Sequence, residues 1–245
     1  MNLSIFSSSH TTQFQVLTGW INWSFNVFPL LRPALCNIYD KMSGKSQPHA
    51  DIYLNKALKE DLAWLARRLN SAPGILFFEA YDWNPLIETN MTIYCDASKL
   101  GMGFWIPETL LGFFSPIPFN PPKDTIFFFE ALCVLSAIHW YCHTMRSDPS
   151  LNQRLRLTVF TDNMNTVHIF DSLKAEPAYN PILRSAVDVL LDYDVDVRVL
   201  HVPGEQNTVA DAISRQKFSK LPSLASGLVL RTFTPPRDVL GASPL

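Results

Sequence analysis

Four acidic residues stand where the surrounding sequence has no need of an acid for solubility. Asp96 closes the extended run TIYCD, and Glu130 follows three phenylalanines in TIFFFEALCVLSAIHWYCHTM. Asp162 closes TVFTD, and Asp211 lies in the first turn of a helix opening near Asn207, among Val209, Ala210, Ala212 and Ile213. Each has a plain reading on its own. An Asp at a strand end is commonly a turn residue, Asp162 can cap the helix after it, and Asp211 sits where the backbone dipole favours a carboxylate. Glu130 is harder to dismiss, because an acid on an aromatic face needs a partner or a cation. Two neighbouring strands can set Asp96 and Asp162 side by side, and a helix crossing the sheet can bring Glu130 to the same edge. Four carboxylates at one rim repel unless divalent cations neutralise them. An all-oxygen ligand set selects Mg²⁺, or Mn²⁺, over zinc. Two such ions about 4 Å apart clamp the attacking and leaving oxygens of a phosphodiester.

The elements that must position these acids follow from periodicity. After a loose tail over 1–10, residues 11 to about 42 carry Leu17, Trp20, Ile21, Phe25 and Phe28 at helical spacing, interrupted by Pro29 and Pro33. KMSGKSQPHAD is a polar connector. DIYLNKALKEDLAWLARRLNS is a second amphipathic helix with Leu54, Ala57, Leu58, Leu62, Leu65 and Leu69 on one face. This first third shows no titratable cluster of its own. After DWNP the texture changes. MTIYCDAS and GMGFWIP alternate like strands joined by a turn at Lys99 to Gly101, and LLGFFSPIP is a candidate third. The run from Thr125 to Met145 lacks Gly and Pro and reads as a buried helix. LRLTVFTDN is a buried strand, and the chain from Asn163 is helical up to a break near Asn180 and Pro181. PILRSAVDVLLDYD is a helix, and VDVRVLHVP a strand. The expected fold is α/β: a mixed five-stranded sheet flanked by helices, with an N-terminal helical segment over 11–86, the sheet domain over 87–216 and an irregular Ser- and Pro-rich tail over 217–245.

Bulk properties narrow the class. The chain has 245 residues, 47% hydrophobic and 17% charged, which is a globular composition. Its net charge of −2 signals no polyanion binding by bulk charge, so any nucleic-acid contact is local. Cys36, Cys95, Cys133 and Cys142 form no C-x-x-C pair and read as reduced thiols. MNLSIFSSSH lacks the charge and apolar core of a signal peptide, and WINWSFNVFPLL is too short for a membrane span and contains Pro29. The expectation is an intracellular protein, not secreted and without a membrane partner. His139 and His143 lie four apart on one helix, but Trp140 stands where a zinc protease needs Glu, and packing is the plainer reading. Asp188, Asp192, Asp194 and Asp196 read as a solvated acidic edge. Trp20, Trp23 and Trp105 are possible base-stacking residues whose commoner fate is the core.

YCDAS, FFFEALCVLSAI, FTDN and HVPGEQNTVADAISR together resemble the ribonuclease H domain of retroelement reverse transcriptases, especially the Ty3-like and DIRS-like branches. The resemblance covers about Met91 to Arg215. PGEQNTVADAISR is its most specific part, similar to the pattern PG-x-x-N-x-x-AD-x-[LI]-SR. It implies a ribonuclease H-like fold and a metal-binding catalytic set carried by Asp96, Glu130, Asp162 and Asp211, with two Mg²⁺ ions (Mn²⁺ an alternative) and Asp96 shared between them. His201, ten positions before Asp211, resembles a loop histidine that assists the nucleophilic water or product release. The implied substrate is the RNA strand of an RNA–DNA hybrid, cut to 5′-phosphate and 3′-hydroxyl ends. LTGWINWSFNVFPLLRPALCNIYDKM resembles the thumb or connection region that precedes this domain. With no Y-x-D-D motif, the sequence reads as the C-terminal piece of such an enzyme, with the polymerase portion as a possible partner. Few basic residues flank the acids (Lys99, Lys123, Arg154, Arg156, Lys174, Arg198 and Arg215), so weak, salt-sensitive hybrid binding is expected. Two alternatives stand beside this reading: a catalytically inactive module that binds nucleic acid or protein, and a DNA nuclease or integrase-like enzyme of the same fold.

Overall fold

A computed structural model describes residues 8–72, 83–119, 121–123, 125–145 and 155–240. Arg154, one of the basic residues noted in the sequence, lies outside the described residues. Contacts divide the chain into two units. One comprises the described residues before 73 together with Leu173–Asn180, and the other comprises the remainder.

In the first unit, β1 (Ser8–His10) pairs antiparallel with β2 (Asp51–Tyr53) and leads directly into α1 (Thr11–Ser24). Pro29 starts a 3₁₀ turn over Pro29–Leu35 that runs into α2 (Cys36–Met42). Proline suits a first helical position because its missing N–H is not needed there. α3 (Lys56–Ser71) is capped by Asn55, whose Oδ1 accepts from Leu58 N at 2.9 Å, and it buries Leu58, Trp64 and Leu65. The α1 stripe differs from expectation. Phe14, Thr18 and Phe25 are buried, whereas Trp20 is 76% exposed and Trp23 72%. Among the described residues this unit also buries a single acid. Asp61 on α3 is fully buried and accepts from Asn37 Nδ2 at 2.7 Å and Asn180 Nδ2 at 3.0 Å. Amide donors satisfy the carboxylate there, as burial of a polar group requires.

The second unit is a mixed α/β layer structure, the class expected from the sequence. Its strands are β3 (Met91–Ala97), β4 (Gly101–Ile106), β5 (Leu111–Pro116), β6 (Leu155–Thr161), β7 (Val195–His201) and β8 (Val229–Thr232). Their order across the sheet is β7-β6-β3-β4-β5-β8. The meander β3-β4-β5 is antiparallel, while β6 and β7 run parallel to β3. The sheet therefore has six strands among the described residues, not five. The sixth comes from the segment expected to be irregular: β8 pairs parallel with β5, Leu111 opposite Val229, and closes an edge that would otherwise stay open.

The helices are α4 (Ile126–Met145), α5 (Met164–Ser172), α6 (Asn180–Tyr193), α7 (Thr208–Ser214) and the short α8 (Leu221–Leu224). α5 ends well before the break expected near Asn180, with Leu173 in the left-handed region at φ 55°. α4 is long and apolar enough to cross a bilayer, yet it is mostly buried against the sheet as the core helix. Trp140 on α4 packs on Phe113 at 5.0 Å between ring centroids, and Phe113 stacks on Phe104 at 4.7 Å.

Candidate active site

β3 and β6 are adjacent, parallel and in register, with Cys95 opposite Thr161. The next residue on each chain path is an aspartate, so Asp96 and Asp162 emerge together at the carboxyl ends of these two neighbouring strands. That is where open α/β sheets place their ligands. α4 crosses the sheet and brings Glu130 to the same rim from among Phe128 and Phe129, all three buried. One carboxylate oxygen from each of Asp96, Glu130 and Asp162 lies within 4.8 Å of the others. Among the described residues this is the one group of three or more acidic, histidine or cysteine side chains so arranged.

The plain readings of these acids do not account for them. The helix after β6 is capped by Asn163, whose Oδ1 accepts from Thr166 N at 3.0 Å, which leaves the Asp162 carboxylate to the cluster. Asp96 is 3% exposed and accepts a hydrogen bond from the hydroxyl of Ser214, the last residue of α7. Burial pushes the Asp96 carboxyl up to about 7, opposed by the Ser214 bond and reinforced by Asp162 and Asp211. Glu130, 4% exposed, is pushed up to about 9, first by burial and then by Asp96 and Asp162. Its Oε2 is buried without a hydrogen-bond partner. An acid so placed is either protonated or awaiting a cation.

α7 and the loop before it seat the rest. Asn207 is buried and donates from Nδ2 to the Cys95 carbonyl at 2.8 Å, pinning the start of α7 to β3. α7 lies directly on β4 at Gly103, where a Cβ would stand 2.6 Å from Ile213 Cγ2 and 2.8 Å from the Ser214 nitrogen. Gly204 approaches Asp162 closely as well: a Cβ there would be 3.0 Å from Oδ2. The sequence pattern alone does not single out Gly103, Gly204, Asn207 and Ser214 as positioning residues. Gly204, Asn207 and Ser214 nevertheless lie inside the PGEQNTVADAISR run, which carries the signal.

Asp211 is near enough to raise Asp96 but stands outside the group of three. Its carboxylate is engaged by Arg215 Nε and by Lys217 Nζ, the latter at 3.4 Å. His201 ends β7 opposite Thr161 and is exposed at this rim of the sheet. The other histidine pair is used in packing: His139 Nε2 lies 3.0 Å from Ser185 Oγ, and His143 Nδ1 lies 2.6 Å from Tyr193 Oη.

No protein-family model and no curated protein matches the chain. Solved structures do resemble it. A foamy viral protease-reverse transcriptase, in complex with an RNA/DNA hybrid, aligns over 73% of this chain at 15% identity and a TM-score of 0.42. The chain spans 28% of that protein's length. LC11-RNase H1, isolated from compost, aligns over 53% of this chain and 96% of its own at 16% identity and a TM-score of 0.38. RNase H1 from the halophilic archaeon Halobacterium salinarum aligns over 53% and 98% at 15% identity and a TM-score of 0.37.

Proposed function

We propose that the second unit hydrolyses the RNA strand of RNA–DNA hybrids, as the ribonuclease H portion of a Ty3-like or DIRS-like retroelement reverse transcriptase. The observation that carries this reading is the convergence of Asp96, Glu130 and Asp162 with one Glu130 oxygen buried and unpartnered. Support for the branch comes from the PGEQNTVADAISR run, which supplies Ser214 to Asp96 and Asn207 to β3.

The residues fit a hard divalent cation. All donors are carboxylate oxygens, and like charges at this spacing are otherwise tolerated only by protonation. When bound, such ions lower the pKa of an attacking water and stabilise the departing 3′-oxygen. Asp96, Glu130 and Asp162 would hold them, with Asp211 joining from α7. Ser214 fixes the Asp96 rotamer through its hydroxyl, and Gly204 lets the loop backbone pass close to Asp162 with no side chain pressing on Oδ2. His201, exposed and opposite Thr161 at the same rim, would be the histidine that assists the nucleophilic water or product release. RNA would be told from DNA by its 2′-hydroxyls in the shallow minor groove.

The test is direct. The purified chain is incubated with labelled RNA–DNA hybrid, duplex DNA and single-stranded RNA, with Mg²⁺ and with EDTA, beside Asp162→Asn. Hybrid cleavage that needs Mg²⁺ and disappears in the variant is the expected result. Cleavage of duplex DNA instead, or of nothing, overturns it.

A further inference from the structure

We propose that Arg215 and Lys217 are an exchangeable pair of phosphate-binding residues: held on Asp211 while the acidic cluster lacks a divalent ion, and handed to the nucleic-acid backbone beside the cleavage point once Asp211 turns to that ion. The inference rests on the reading of the site given above and deepens it. Asp211 carries two cations at once, Arg215 Nε on Oδ1 and Lys217 Nζ on Oδ2. One carboxylate needs one counter-charge, and exposed ion pairs of this kind add little to stability. The second cation therefore has no evident structural duty. Both side chains stay about half exposed, at 51% and 43%, so neither is a buried anchor.

The backbone that presents them is fixed. α7 ends in a Schellman motif, with Lys217 N donating to the Ala212 carbonyl at 2.8 Å and Gln216 N to the Ile213 carbonyl at 3.0 Å. Gln216 takes the left-handed conformation this requires, at φ 56°. Its side chain donates to the Leu100 carbonyl at 3.1 Å and ties the cap to the β3–β4 turn. A rigid cap thus holds two flexible cationic ends beside the acidic rim. The Arg215 guanidinium is stabilised first by Asp211, and also by Asp96 and Asp162, so it lies within the field of the cluster. A divalent cation entering that field competes with Arg215 for the same negative charge and repels it. A phosphate, which the planar guanidinium matches with two parallel donors, is then the natural ligand.

Two measurements on the full chain test this without relying on cleavage. Binding to a fluorescent RNA–DNA hybrid is followed in EDTA across a salt series. Asp211→Asn, which frees both cations while keeping them, is expected to tighten metal-free binding about tenfold. It should also steepen the log–log salt slope by about 1 to 2, one for each phosphate newly neutralised. Calorimetric Mn²⁺ binding is expected to be several-fold tighter in Arg215→Gln/Lys217→Gln, because Asp211 is no longer withheld; both substitutions are exposed and tolerable for folding. Unchanged hybrid affinity and slope in Asp211→Asn, or Mn²⁺ binding no tighter in the double variant, overturns the exchange. If the parent protein takes up no Mn²⁺, the metal site itself fails and the exchange with it. If the parent binds Mn²⁺ and Asp96→Asn does not, the site stands, and the two measurements judge the exchange alone.

Discussion

Asp96 and Glu130 are buried acids with few donors, and their chemistry is set by that burial. Both ionise above the ordinary carboxylate range, at about 7 and about 9. The folded, metal-free protein therefore keeps protons that the unfolded chain gives up. The stability these groups contribute is fully present below the ordinary carboxylate pKa and is lost as pH rises through 7 and then towards 9. The slope is about 1.4 kcal/mol per pH unit for each proton held. In EDTA the melting temperature should fall between about pH 5 and pH 9. Glu130→Gln should flatten that fall and melt above the parent at about pH 8, as thermal denaturation across a pH series would show. A metal-free protein that gains stability up to about pH 9 would contradict the burial argument. Mg²⁺ should reverse the trend, since ligation needs the deprotonated acids and releases their protons. Calorimetry in buffers of different ionisation enthalpy measures that release directly.

At the scale of elements, α7 is the piece on which the site turns. It carries Asp211 and Ser214, and it reaches β3 and β4 only because Asn207 ties its start and Gly103 lets it lie flat. Gly103→Ala would push a methyl into Ile213 and the Ser214 backbone, which rigid elements cannot absorb without α7 lifting. The expected cost is about 1–3 kcal/mol, together with weaker Mn²⁺ binding as the Ser214 bond to Asp96 is lost. Denaturant unfolding and metal titration read the two effects separately, and an unperturbed variant would mean α7 is free to shift. The strands β3 to β7 and α4 were legible in sequence, because alternation and an unbroken apolar run are local signals. β8 was not. Val229–Thr232 is exposed or half-buried along its length, and only pairing with β5 makes it a strand. The α1 stripe misled for a related reason. Helical spacing identifies the helix, but which side is buried depends on the neighbouring elements, and here Phe14 and Thr18 face inward while Trp20 and Trp23 do not.

At the scale of the whole molecule, the net charge of −2 has to be reconciled with the polyanionic substrate proposed above. Attraction can come only from local cations, and two of those beside the acids are engaged by Asp211. Hybrid binding by this chain should accordingly be weak near physiological salt and fall further as salt rises. A fluorescence titration between about 50 and 200 mM salt checks it, and tight binding at the upper end would contradict it. What the sequence determined by itself was local: residue types, periodicities and a signature run, enough to name Asp96, Glu130, Asp162 and Asp211 as candidates and to order the strands along the chain. What only the tertiary structure decided was proximity and partnership. It grouped three of those acids within 4.8 Å and gave the fourth to Arg215 and Lys217. The reason is physical: parallel pairing of β3 with β6 joins residues far apart in the chain, such as Cys95 and Thr161, and no local preference of the backbone encodes which distant charge a carboxylate will meet.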